Sequence, residues 1–185
     1  MKQSLDWLGI FNDSSKRTVI KGADTIGADG GLFHEALHLA LEDRPKYSVR
    51  AARSVVFAAE RYPFLAHPHR GIIIFAMERM KNESLLFTFL KLFTFIELPD
   101  SEEEIGHLMK LCFDTMERPV ERIAVRVYAL ETLYRISEII PEIKNELGLL
   151  IVHLAPHSPP AFQSRGSQIL KKLRRETGRN FLETF

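Results

Sequence analysis

The chain has one cysteine, one tryptophan and a formal net charge of only +1 in 185 residues. A lone thiol, Cys112, forms no internal disulfide, which fits a reducing compartment. A near-zero charge excludes strong non-specific attraction to nucleic acid by the field of the whole molecule and leaves only local patches for that role. Long hydrophobic runs are lacking too: the apolar stretch Gly71 to Met77 is far short of the roughly 20 residues a membrane helix needs. Residues 1–20 carry Asp6, Asp13, Lys16 and Arg17 and no long apolar run, so they do not read as a secretory signal, and the expected location is the cytoplasm. Strand-like alternation is absent. Leu85 to Ile96 is rich in phenylalanine but too long for a strand, and it repeats in helical register.

What remains is ordinary globular composition, with 45% apolar and 26% charged residues, which argues against disorder. The length suits one domain spanning 1–185. Its most informative feature is an internal echo. Val49–Leu65 (VRAARSVVFAAERYPFL) reappears as Val127–Ile143 (VYALETLYRISEIIPEI). Val49 falls on Val127, Ala51 on Ala129, Glu60 on Glu138 and Pro63 on Pro141. Phe89 to Pro99 (FLKLFTFIELP) sits about midway between the two. A spacing of roughly 40 residues is that of a two-helix solenoid unit.

The expected architecture is therefore all-α, an α-solenoid of two-helix repeats, irregular over 1–45 and clearly repetitive over 46–175. A short helix over Ser4 to Phe11 is expected to bury Leu5, Trp7, Leu8 and Phe11. Ser14 or Ser15 caps a helix to about Ile26, the glycine-rich stretch 27–31 breaks the chain, and a helix runs from Leu32 to about Glu42, ended by Arg44-Pro45. The next helix buries Ala52, Val55, Val56 and Ala59, spaced i, i+3, i+4, i+7, and Pro63 stops it. Pro68 is placed to open a helix carrying Ile72, Ile73, Phe75, Ala76 and Met80. Asn82 or Ser84 starts one with Phe89, Leu92, Phe93 and Ile96 inward. Ser101 and Glu104 read as a capping box for a helix through Phe113. Pro119 opens a long helix to Ile140, Ile143 to Leu154 forms its partner, and Ser158-Pro159-Pro160 starts a closing helix. That last helix is apolar at Ile169, Leu170 and Leu173 and charged on its other face.

The blocks VRAARSVVFAAERYP, LMKLCFDTM, AVRVYALETLYRISEIIPEIKNELGLLI and HSPPAFQSRGSQILKKL resemble HEAT-like repeat proteins over Val49 to Leu173. More narrowly they resemble a family of small bacterial HEAT-like proteins of unknown function. Some members carry an adenylosuccinate lyase label. This chain does not support it, because the glycine- and serine-rich loop of that superfamily is missing. The resemblance implies the fold and says little of activity.

One string is a candidate for catalytic chemistry. His34-Glu35-Ala36-Leu37-His38 is H-E-x-x-H on an expected helix, so His34 and His38 lie one turn apart and can reach one zinc, while Glu35 can polarise a bound water. A third ligand is needed, and the glycine and distal histidine of the extended motif are absent; Glu60 is the best-placed substitute. The plainer reading packs Phe33, Leu37, Ala40 and Leu41 inward and leaves His34, Glu35 and His38 at the helix edge. His67 and His69, and His153 and His157, read as solvated turn residues. Cys112, among Leu108, Leu111 and Phe113, reads as core.

Positive charge clusters at Arg44, Lys46, Arg50, Arg53 and Arg61 and again over Arg165 to Arg179. Arg50, Arg53, Lys171, Lys172, Arg174 and Arg175 form the candidate basic surface for a phosphate backbone. The leading expectation is a non-catalytic interaction or scaffold module whose partner is another protein, with no cofactor and no membrane. The alternatives are a zinc-dependent hydrolase centred on Glu35 and a nucleic-acid binder using the basic helices.

Overall fold

The computed structural model describes residues 5–44, 46–119 and 122–181, and helix is the regular structure throughout them. The fold is all-α, as expected. No helix among the described residues is long and apolar enough to cross a membrane. The chain divides into two compact units, Met1–Glu104 and Ile105–Phe185.

The first unit opens with α1 (Trp7–Ile10), capped by Asp6, whose carboxylate accepts from the Gly9 N–H at 3.0 Å. Trp7 and Phe11 are buried and stacked 5.6 Å apart. Leu8, expected inward, is 46% exposed, because a single helical turn buries only one side. Ser4 and Pro45, expected to begin and end helices, lie outside the described residues. In α2 (Lys16–Ile26), Ser15 Oγ accepts from the Thr18 N–H at 3.1 Å, and Val19, Ala23 and Ile26 are buried. Gly27 ends this helix at φ 52°, a left-handed conformation that favours glycine. α3 (Gly30–Leu41) starts two residues before its expected first residue, Leu32. The Asp29 carboxylate accepts from the N–H groups of Gly31 and Leu32 at 2.8 and 3.0 Å, which turns two apparent loop glycines into a capped first turn.

α4 (Tyr47–Arg61) is the central helix of this unit and packs against α2, α3 and α6 (Glu83–Phe93). Ala52, Val55, Val56 and Ala59 are all buried, as their spacing requires. Ser48 Oγ accepts from the Arg44 N–H at 2.9 Å and donates to the Leu39 carbonyl at 2.7 Å, which ties down the α3–α4 connection. Pro68 does not open an α-helix. His67–His69 is a 3-10 turn, and α5 (Arg70–Met77) follows it. Ile73, Ile74 and Met77 are buried in α5, while Ile72 is 53% and Phe75 38% exposed. A continuous apolar run carries no period, so its inward face could not be read from sequence. In α6, capped by Asn82, Phe89, Leu92 and Phe93 point inward, as does Ile96 just beyond it. Each such fully buried side chain contributes about 1.5–3 kcal/mol of transfer free energy.

α7 (Glu102–Glu117), whose first three residues belong to the first unit and whose remainder opens the second, runs past its expected end at Phe113. The Glu104 N–H reaches Ser101 Oγ at 3.4 Å, one half of the expected box, while a Cβ on Gly71 would lie 2.3 Å from the Glu104 carboxylate. α8 (Ile123–Ile139) begins beyond Pro119, its expected opening. α9 (Lys144–Leu154) and α10 (Pro160–Thr177) complete the unit, with α10 packed on both α8 and α9. Ile169 and Leu173 are buried along α10; Leu170 is only half-buried.

The sequence echo is a structural repeat. α4 and α8 end on the same geometry: the Tyr62 and Ile140 N–H groups bond the Ala58 and Ile136 carbonyls, both at 2.8 Å. Pro63–Leu65 and Pro141–Ile143 then form matching 3-10 turns. From Val49–Leu65 to Val127–Ile143 the order of buried, half-buried and exposed residues is the same at every position except Tyr62 and Ile140. Proline cannot donate a backbone hydrogen bond, so each copy stops its helix at the same residue and re-aims the chain.

Candidate functional site

The H-E-x-x-H string lies on α3. Phe33, Ala36, Leu37 and Ala40 form its buried stripe, which leaves His34, Glu35 and His38 exposed along one edge. The His34 and His38 rings are 6.4 Å apart. His69, arriving from the 3-10 turn before α5, stacks on Phe33 at 5.7 Å and lies 5.3 Å from His34. Burial holds the His69 imidazole below its ordinary value, and the neighbouring His34 adds to that. Glu35 accepts a hydrogen bond from Trp7 Nε1 at 2.9 Å. Its carboxylate thereby joins α1 to α3. His38 Nδ1 lies 3.7 Å from the Glu42 carboxylate. Glu60, the candidate third ligand, is paired with Lys91 at 2.5 Å. Among the described residues no three His, Cys, Asp or Glu side chains gather in a group that could hold a metal ion.

The Cys112 thiol is fully buried, and burial pushes its ionisation above the ordinary range. The basic residues differ between the two units. Arg50 donates to the Phe11 carbonyl at 2.7 Å, Arg44 pairs with Glu42 at 2.8 Å and Arg61 with Asp24 at 2.5 Å. Arg53 is half-buried. On α10, Lys172 sits 4.5 Å over the Tyr134 ring, while Lys171, Arg174 and Arg175 are exposed. Glu176 is held by Lys144 at 2.8 Å and by the Tyr134 hydroxyl at 2.7 Å, and those two contacts keep its carboxyl below its usual range.

The concave features lie elsewhere, between alternate helices of the chain. In the first unit a groove of about 340 Å³ separates the end of α3 from α5. Leu41, Ile72 and Phe75 give it apolar walls, and Asp43 and Arg79 put one charge of each sign on its rim. In the second unit a groove of about 720 Å³ separates α7 from α9. Phe113, Leu149 and Leu150 line it, with Glu117, Glu142 and Glu146 alongside. The linings of the two grooves coincide at two positions under the 78-residue shift that carries Val49 to Val127: Ile72 corresponds to Leu150 and Phe75 to His153, with buried Ile73 and buried Ile151 behind them. Sequence reasoning missed these grooves. The signal was there, in the continuation of the echo beyond Ile143.

The family model of the HEAT repeat domain matches residues 14–173. Among curated proteins and solved structures there is no match. The match takes in α2 to α10 together with both echo copies, and the chain belongs to the HEAT repeat domain family.

Proposed function

We propose that the protein is a non-catalytic scaffold that binds another protein through the grooves between its successive repeats. The observation that carries this reading is an apolar-walled groove in each unit, with the equivalent residues Ile72 and Leu150 in the two walls. Repeat proteins bury their own apolar faces by stacking, so solvent-facing apolar side chains that recur with the repeat are left for a partner. Ile72, 53% exposed, and its half-buried equivalent Leu150 are such side chains, and Leu149 beside the latter is exposed as well. The role of the H-E-x-x-H edge in this reading is structural, because the carboxylate that would act as general base is hydrogen-bonded to Trp7.

A photo-crosslinking amino acid placed at Ile72 or Leu149 in the native cell tests it. Reproducible adducts of defined mass are expected from these positions and not from exposed Glu103 on α7. No reproducible adduct at either groove would overturn the reading. The nucleic-acid alternative would use the exposed cations of α10. Duplex binding with a salt dependence that disappears on neutralising Lys171, Arg174 and Arg175 would favour it over a protein partner.

A further inference from the structure

We infer that the groove between α7 and α9 receives a basic amphipathic helix from the partner protein. The inference rests on the protein-interaction reading and specifies the chemistry of its ligand. Three features narrow the occupant. The groove has an apolar floor of Phe113, Leu149 and Leu150, so the occupant presents an apolar stripe. Its three ionised rim residues, Glu117, Glu142 and Glu146, are all acidic and exposed. The nearby cation Lys144 is engaged by Glu176 at 2.8 Å and does not neutralise them. The equivalent groove of the first unit has a balanced rim, Asp43 against Arg79, so the acidic bias is particular to this site.

The third feature is backbone chemistry. Strand addition needs an open sheet edge, and the described residues contain no strand. A helix arrives with its backbone bonds already made and needs only a groove to fill. α9 is 11 residues long, about 16.5 Å at 1.5 Å per residue, which is enough to span the about 10.5 Å between i and i+7 of a docked helix. Lysines and arginines flanking that stripe would face Glu117 on one wall and Glu142 and Glu146 on the other. Such charges steer the encounter and fix the orientation, and the apolar floor holds the complex.

Fluorescence anisotropy with the full chain tests this, using labelled helical peptides of about 15 residues with leucines at i, i+4 and i+7. One carries lysine at the flanking positions and the other glutamate. The lysine peptide should bind, more weakly as salt is raised, and the glutamate peptide should not. The triple variant Glu117→Gln, Glu142→Gln, Glu146→Gln should weaken lysine-peptide binding about tenfold or more, and Leu149→Ser should do likewise. All four positions are exposed, so the variants should keep the wild-type melting temperature. Equal binding of the two peptides, unchanged affinity in the triple variant, or a dimer of the chain that Leu149→Ser dissolves would overturn the inference. If the lysine peptide fails while a crosslinker at Leu149 still captures a defined protein, the occupant's chemistry is wrong and the interaction reading stands. Loss of that adduct as well overturns both.

Discussion

Single residues decide how closely the helices approach. Gly22 on α2 faces Ser54 on α4, and a Cβ there would lie 2.5 Å from Ser54 Oγ and 2.7 Å from Phe11 Cε1. Neither neighbour is free to move, since Ser54 Oγ donates to the Val19 carbonyl at 3.0 Å and Phe11 is fully buried. Gly22→Ala should therefore destabilise the fold by about 1–3 kcal/mol despite the better helix propensity of alanine, as urea unfolding would show. An unchanged midpoint would mean that α2 and α4 are further apart. His69 makes a pH-dependent contribution of definite sign. Its folded-state pKa lies below the ordinary 6.5, through burial first and the neighbouring His34 second. As pH falls through that value the unfolded chain takes up a proton that the folded one resists, so stability declines on acidification from about pH 6.5. Glu176, whose pKa is lowered by Lys144 and Tyr134, adds a separate loss only below the ordinary carboxylate range near 4.5. His69→Gln should flatten the upper limb of the stability–pH curve and leave the lower one intact. None of this is visible in a linear sequence, because Gly22, Ser54 and Phe11 meet only once three elements are packed.

Elements were legible where period and punctuation agreed. α4 and α8 combine a stripe at i, i+3, i+4 and i+7 with a proline stop, and both were readable from the echo alone. Leu133 corresponds to Val55 in that register and is fully buried. Leu133→Ala should cost about 2–5 kcal/mol in chemical unfolding. A much smaller loss would show that the register of α8 is wrong. α5 failed for the opposite reason. Gly71 to Met77 is apolar at every position, so which residues face in depends on α6 and not on local pattern. The ends of α3 and α7 shifted because Asp29 caps two glycines and because nothing between Phe113 and Glu117 breaks a helix. The grooves were hidden because their walls come from separate helices, α3 with α5 and α7 with α9.

At the scale of the whole molecule, the HEAT repeat match spans residues 14–173 and so extends through both compact units. We propose that the chain nonetheless unfolds as one module, as its length suggests. Trp7, the single tryptophan, is buried in the first unit and reports on that unit alone, whereas far-UV circular dichroism reports on all the helices. Coincident urea midpoints by the two probes are expected. A fluorescence midpoint displaced from the circular dichroism midpoint would instead show two independently stable units. We propose that this repeat protein acts by binding and not by catalysis. Elemental analysis of untagged protein, purified without chelator, tests that proposal most directly, since His34, Glu35 and His38 form the H-E-x-x-H string on which a zinc hydrolase would depend. No stoichiometric metal is predicted. One tightly held zinc per chain, lost in His38→Ala, would contradict the account and make the edge of α3 an active site.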